Sequence, residues 1–174
     1  GPIAIFESGR IYFPRDNDLP EEKEMIVGLL NGPRARDHWL MDQGQLGFYD
    51  AKGILDSLFE TLGVDANYHP GGDRYLHPTR SASIVSSDTN IGVLGELHPT
   101  ISKEMGSVSP IYIFDLDIPA LLTVIPNRDR QFQSLGRFPP AVRDLSIVVN
   151  SSISAGHISD CIKEEQLVHT VTLF

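Results

Sequence analysis

Apolar and polar positions along the chain change their period several times, and each change predicts an element. Residues 4–13 mix β-branched and aromatic side chains as a strand does, and the turn-rich cluster Pro14-Arg-Asp-Asn-Asp-Leu-Pro20 follows, so a hairpin is expected. Met25-Ile-Val-Gly-Leu-Leu30 is a short apolar run ended by Asn31-Gly-Pro33, which predicts a strand buried on both faces. From residue 49 to 62 the period lengthens. Ile54, Leu55, Leu58, Phe59 and Leu62 recur at helical spacing, Asp50 can cap the start and Gly63 supplies the stop. Lys52, Asp56, Ser57 and Glu60 cover much of the rest, so this helix is expected to lie on a sheet with its other side in water.

Strand-like runs at 82–86, 91–97 and 111–116 are separated by short turn signals such as Ser87-Asp-Thr-Asn90, and short connections favour antiparallel pairing. His98-Pro99 opens a short helix toward Met105, with proline where its missing N–H costs nothing. A further short helix is expected at 120–124. Residues 125–133 carry proline, asparagine and charge with little apolar periodicity, which reads as a linker. A second pattern then begins, with a strand at 145–149, a helix at 155–165 holding Ile158 and Ile162 four apart, and an alternating strand at 168–174. The expectation is an α+β chain: an antiparallel sheet with flanking helices over 1–125, a linker at 126–133, and a β-α-β piece over 134–174.

The 174 residues, 41% hydrophobic, are enough to bury a core and to build one full domain plus part of a second. No apolar run approaches the roughly 18 residues needed to cross a bilayer, and the N-terminus lacks the layout of a secretory signal. A single cysteine, Cys161, cannot form an internal disulfide, so the cytoplasm is the expected compartment. On its helix beside Ile162 it reads as a small buried apolar residue. A net charge of −9 argues against binding nucleic acid by bulk electrostatics. The local exception runs from Asn127 to Arg143, where Arg128, Arg130, Arg137 and Arg143 face only Asp129. That stretch reads either as a solvated basic linker or as a segment near RNA phosphates.

Candidate chemistry is sparse. His69, His77, Glu96 and His98 are residue types that suit zinc, but none stands at His-x-x-x-His or Cys-x-x-Cys spacing, and each histidine lies near proline or glycine, as loop histidines do. Gly92 and Gly95 stand in a strand-like run without a phosphate-loop pattern, so they are expected to let a neighbouring backbone or helix approach the sheet. Ser81 and Ser83 near Arg80 have no histidine placed by sequence to take a proton. Trp39, after Asp37-His38, reads as a partly buried aromatic anchor. Two rival readings stay open: a metal-dependent hydrolase around His77, Glu96 and His98, and a generic interaction module.

Several segments, in order, carry a resemblance: Phe6-Glu-Ser-Gly-Arg10; Tyr49-Asp-Ala-Lys-Gly53 leading into Leu58 to Val64; His77-Pro-Thr-Arg-Ser-Ala82; Gly92-Val-Leu-Gly-Glu-Leu-His-Pro99; Phe114-Asp-Leu116; and Phe138-Pro-Pro-Ala-Val-Arg-Asp-Leu-Ser-Ile-Val-Val149. Together they resemble an internal slice of the beta subunit of bacterial-type phenylalanyl-tRNA synthetase. The resemblance implies a non-catalytic copy of the class II aminoacyl-tRNA synthetase core that supports an active alpha subunit. It also implies the first half of a ferredoxin-like anticodon-binding domain at the C-terminal end. The chain independently shows neither the family's Arg-x-Glu arrangement nor a glycine-rich segment ending in a catalytic arginine, so adenylate formation has no visible stabiliser of the ATP phosphates.

For the parent protein the resemblance implies ATP-dependent charging of tRNA(Phe) with phenylalanine by a heterotetramer of two alpha and two beta chains. ATP and magnesium belong to that enzyme, with no cofactor or metal ligand expected in this slice. No membrane association is expected. For tRNA contact, Arg137 and Arg143 are the candidates, because guanidinium groups suit phosphates and base edges; Arg143-Asp144 reads equally as an ion pair. In a half ferredoxin-like sheet the first two strands are separated by a third. A strand from another copy or from the core is therefore expected to fill the gap.

Overall fold

A computed structural model describes residues 1–16, 18–34, 44–127 and 139–174. The chain divides into two compact units, Gly1–Asp129 and Arg130–Phe174. The first holds β1 (Ile3–Arg15), β2 (Asp18–Asn31), α1 (Phe48–Leu62), β3 (Asn67–Pro70), β4 (Leu76–Ser86), β5 (Thr89–Leu97), α2 (Pro99–Glu104), β6 (Ile111–Asp117) and α3 (Ile118–Val124). Its strands form one sheet in the order β1-β2-β6-β5-β4-β3, with every neighbouring pair antiparallel.

Antiparallel partners point to the same side of a sheet. The register therefore places Leu30, Tyr112 and Glu96 in one row and Gly28, Phe114 and Leu94 in the next. This side meets α1, whose Ala51, Leu55 and Phe59 are buried at successive four-residue steps. Leu121 of α3 and Val64 close the same core. The stripe expected from the sequence is rotated: Leu55 and Phe59 lie at its centre, but Ile54 is about half exposed, because its outward neighbour is the uncovered part of the sheet. Asp50 acts from inside the first turn, where its carboxylate accepts the Gly47 N–H at 2.7 Å and Arg34 Nε at 2.9 Å. Gly63 ends the helix at φ +71°, the left-handed conformation that glycine adopts without strain.

The hairpin forms as expected, but its ladder runs past Phe13 to an Arg15↔Asp18 pair, with the irregularity at Pro14. Proline is accommodated there because a bulge needs no N–H. The reading of 25–30 as buried on both faces is corrected. Only Gly28 and Leu30 of β2 are buried, and Val27 on the opposite side is exposed, because only the α1 side of the sheet is covered at this end. The glycines of β5 do what was expected of them. A Cβ on Gly92 would collide with the Asp115 carbonyl and Leu116, and one on Gly95 would sit 2.7 Å from Ser81 Cβ. β3 has no counterpart among the sequence expectations: four residues with histidine and proline show no usable alternation.

In the second unit, α4 (Ala155–Lys163) forms where expected, capped by Ser154, whose Oγ accepts the His157 N–H at 3.2 Å. The strands expected at 145–149 and 168–174 are corrected: neither joins a ladder among the described residues. An alternating pattern makes a segment fit for a sheet, but a strand exists only through hydrogen bonds to a neighbour. Cys161 is exposed, which overturns its expected burial; α4 carries no buried residue, so no core is there to receive it.

Candidate functional site

The sheet side opposite α1 carries a row that crosses all six strands. The register aligns Glu7, Val27, Asp115, Val93, Ser83 and His69 from one edge to the other. Asp115 and Asp117 stand two apart on β6 and so share this side. The Tyr75 hydroxyl donates to Asp115, and Lys23 Nζ lies 3.2 Å from Asp117. Burial raises the Asp115 pKa above its ordinary value; Tyr75 opposes that rise, while Asp73 and Asp117 add to it. Burial, and then the bond to Asp115, pushes the Tyr75 phenol up strongly, so it stays a donor. The row offers acceptors, and its nearby cation Lys23 is already paired. Its field would repel a phosphate. The sequence held a signal for the two aspartates in the alternation Phe114-Asp-Leu-Asp117, whereas Tyr75 and Lys23 reach them only through the fold.

Around the end of β5, Glu96 is 7% exposed, with Arg80 Nη1 2.9 Å from its Oε2. That contact lies outside hydrogen-bond direction, and among the described residues Oε2 has no hydrogen-bond partner. Arg80 Nη2 also meets His77 Nε2 at 3.0 Å. His77 Nδ1 accepts the Thr79 N–H at 3.2 Å, and His98 Nδ1 accepts the Thr100 N–H at 3.3 Å, which caps α2. His69 is on the edge strand β3, where its carbonyl accepts from Ser83 Oγ at 3.4 Å. Of the four residues weighed as a metal site, Glu96 and His77 thus share the cation Arg80, while His98 and His69 have separate local roles. Among the described residues no group of three or more His, Cys, Asp or Glu side chains could hold a metal ion.

Of the arginines singled out by sequence, Arg137 lies outside the described residues, as do Arg128 and Arg130. Trp39 and Asp37-His38 lie outside them too. Arg143 is exposed, and its Nη1 donates to the Val142 carbonyl at 3.0 Å. Among the described residues no ion pair joins it to Asp144.

The largest feature that the sequence did not reveal is the exposure of β1. All thirteen of its residues are exposed, among them Ile3, Ile5, Phe6, Ile11, Tyr12 and Phe13, and its outer edge has no partner among the described residues. Phe6 is 78% exposed. Beside it, Ala4, Leu30, Ile54 and Phe114 help line a groove of about 130 Å³. An apolar edge strand of this length is an interaction surface in search of cover.

The phenylalanyl tRNA synthetase beta chain CLM domain family matches residues 2–118. Phenylalanine–tRNA ligase beta subunits align over nearly the whole chain. That of Dehalococcoides mccartyi (strain 195) is 36% identical over 99% of this chain and 21% of its own length. The Geobacillus kaustophilus subunit is 35% identical over 99% of the chain and 22% of its length, and that of Carboxydothermus hydrogenoformans 33% over 92% and 20%. The chain thus spans about a fifth of the length of these curated relatives. With two thirds of its residues inside the family match and its sheet intact across them, the chain belongs to the phenylalanyl-tRNA synthetase beta chain family.

Proposed function

We propose that this chain is a scaffold segment of a phenylalanine–tRNA ligase beta subunit, in which residues 1–125 form a non-catalytic class II synthetase-like core that docks an alpha catalytic subunit. In this reading residues 126–133 link the core to 134–174, the opening half of a ferredoxin-like anticodon-binding domain. Arg137 and Arg143 contact tRNA(Phe). The whole enzyme, a cytoplasmic heterotetramer of two alpha and two beta chains, charges tRNA with phenylalanine using ATP and magnesium at the alpha active site. The observation that carries the reading is the bare apolar strand β1, because an exposed hydrophobic edge of that length stays soluble only if a partner covers it.

The test is retention of a tagged alpha subunit by the full beta subunit carrying Ile5→Lys or Phe6→Glu. Both side chains are exposed, so the beta fold should survive, while alpha retention and phenylalanine charging fall together. Unchanged retention with both variants would overturn the docking assignment. For RNA contact, Arg143→Ala should weaken tRNA(Phe) binding and lower the salt slope by about one. An unaltered slope removes Arg143 from the interface.

A further inference from the structure

Asn31-Gly32, where β2 ends, is the one Asn-Gly step in the chain. Glycine has no Cβ, so it shields its own backbone nitrogen least from the side chain before it. Gly32 stands at φ +94°, where any other residue would be strained, so the fold requires the very residue that leaves Asn31 open to attack. Asn31 itself is held. It is in register with Ile3 on one side and Ile111 on the other. Its Nδ2 donates to the Pro110 carbonyl at 2.9 Å, to Ser109 Oγ at 2.9 Å and to the Ser109 carbonyl at 3.3 Å, two protons shared among three acceptors. Ser107 Oγ donates in turn to the Ser109 carbonyl at 2.7 Å, which fixes the acceptors as a set.

We propose that Asn31 is a deamidation site latched by residues 107–110: it reacts only when the latch opens, and the product cannot close the latch again. In the reaction the Gly32 nitrogen loses its proton and bonds to Asn31 Cγ, the Cγ–Nδ2 bond breaks, and ammonia leaves with the proton. Water then adds to either carbonyl of the resulting succinimide and opens the ring to aspartate or isoaspartate, each with one new carboxylate. Ring closure needs the nitrogen and Cγ in near-attack contact, about 3–3.5 Å apart. The bonds on Nδ2 turn the carboxamide toward Ser109 and Pro110 and keep it from rotating, so closure waits on local opening. The product reverses the chemistry of the latch. Where the amide gave protons to these oxygens, a carboxylate has none to give and faces two backbone carbonyls. Residues 107–110, which lead into β6, are thereby released.

The experiment follows the intact 174-residue chain in mildly alkaline buffer by peptide mass mapping, which reads deamidation as a gain of about 1 Da in the peptide holding residue 31. Folding should slow the reaction at Asn31 roughly tenfold or more relative to the chain in denaturant. Ser109→Ala removes one acceptor and should quicken the folded-state reaction about fivefold without altering the rate in denaturant. Leu121→Val, a modest loss of packing at the far end of β6, should leave the rate at Asn31 within about twofold, which separates opening of the latch from general loosening. Asn31→Asp, which installs the product, should speed amide exchange over 107–111 and leave β5 protected. Equal rates in the folded and denatured chain overturn the proposal, as does a Ser109→Ala rate no higher than that of Leu121→Val. Unchanged exchange over 107–111 in Asn31→Asp overturns it as well.

Discussion

Gly92 occupies a point where β5 and β6 come too close for any side chain, with the Asp115 carbonyl and Leu116 in the way. Gly92→Val should cost about 1–3 kcal/mol by overpacking, read as a lower denaturant midpoint at unchanged slope. Glu96 is a different kind of constraint. Arg80→Ala strands a buried carboxylate, whereas Glu96→Gln removes the charge and keeps the shape, so the arginine variant should be the less stable of the two in thermal unfolding. Two aspartates act on the acid limb of the stability profile with opposite sign. The hydrogen bond from Arg34 holds Asp50 below its ordinary 3.8, so its stabilisation is present above that value and is lost as the pH falls through the lowered pKa. Burial raises Asp115 above the same 3.8, so its contribution is complete at lower pH and disappears as the pH rises through the raised pKa. Asp50→Asn should therefore flatten the loss at low pH, and Asp115→Asn should flatten the loss on rising above it. Unfolding midpoints measured across pH 2–6 separate the two.

At the scale of elements, α1 shows how far periodicity carries and where it stops. Its length, its glycine stop and its apolar side were legible, because a 3.6-residue period and a φ-positive terminator are local properties. The exact line of burial was not, since it depends on which strands lie beneath. Ala51 lies in the buried line and Ile54 beside the open end of the sheet. Leu55→Ala should thus cost about 2–5 kcal/mol in chemical unfolding, while Ile54→Ala should cost well under half as much. The strands at 145–149 and 168–174 give the complementary lesson: their alternation is real, yet a ladder needs a neighbour that sequence cannot place. β3 was missed because four residues are too few to show a period.

Across the whole molecule, the middle of the sheet is paired on both sides and covered by α1, while β1 and the outer part of β2 form a two-stranded ribbon beyond β6. Local opening follows that arrangement. Amide exchange should be slowest in β5 and β6 and fast over residues 10–24, in a measurement on the intact chain. Uniform protection over β1 and β5 would contradict it.

The β1–β2 hairpin, the four helices, the stop at Gly63, the need for glycine in β5 and the family resemblance were all set by the sequence alone, because each rests on short-range stereochemistry or on motifs read along the chain. Beyond the hairpins that short turns dictate, only the tertiary structure decided which strands became neighbours. Through that it set the row shared by Glu7, Asp115 and His69, the meeting of Tyr75 with Asp115, and the exposure of β1. The physical reason is that burial and pairing are relations between distant segments, fixed by which surfaces remain once the others have packed.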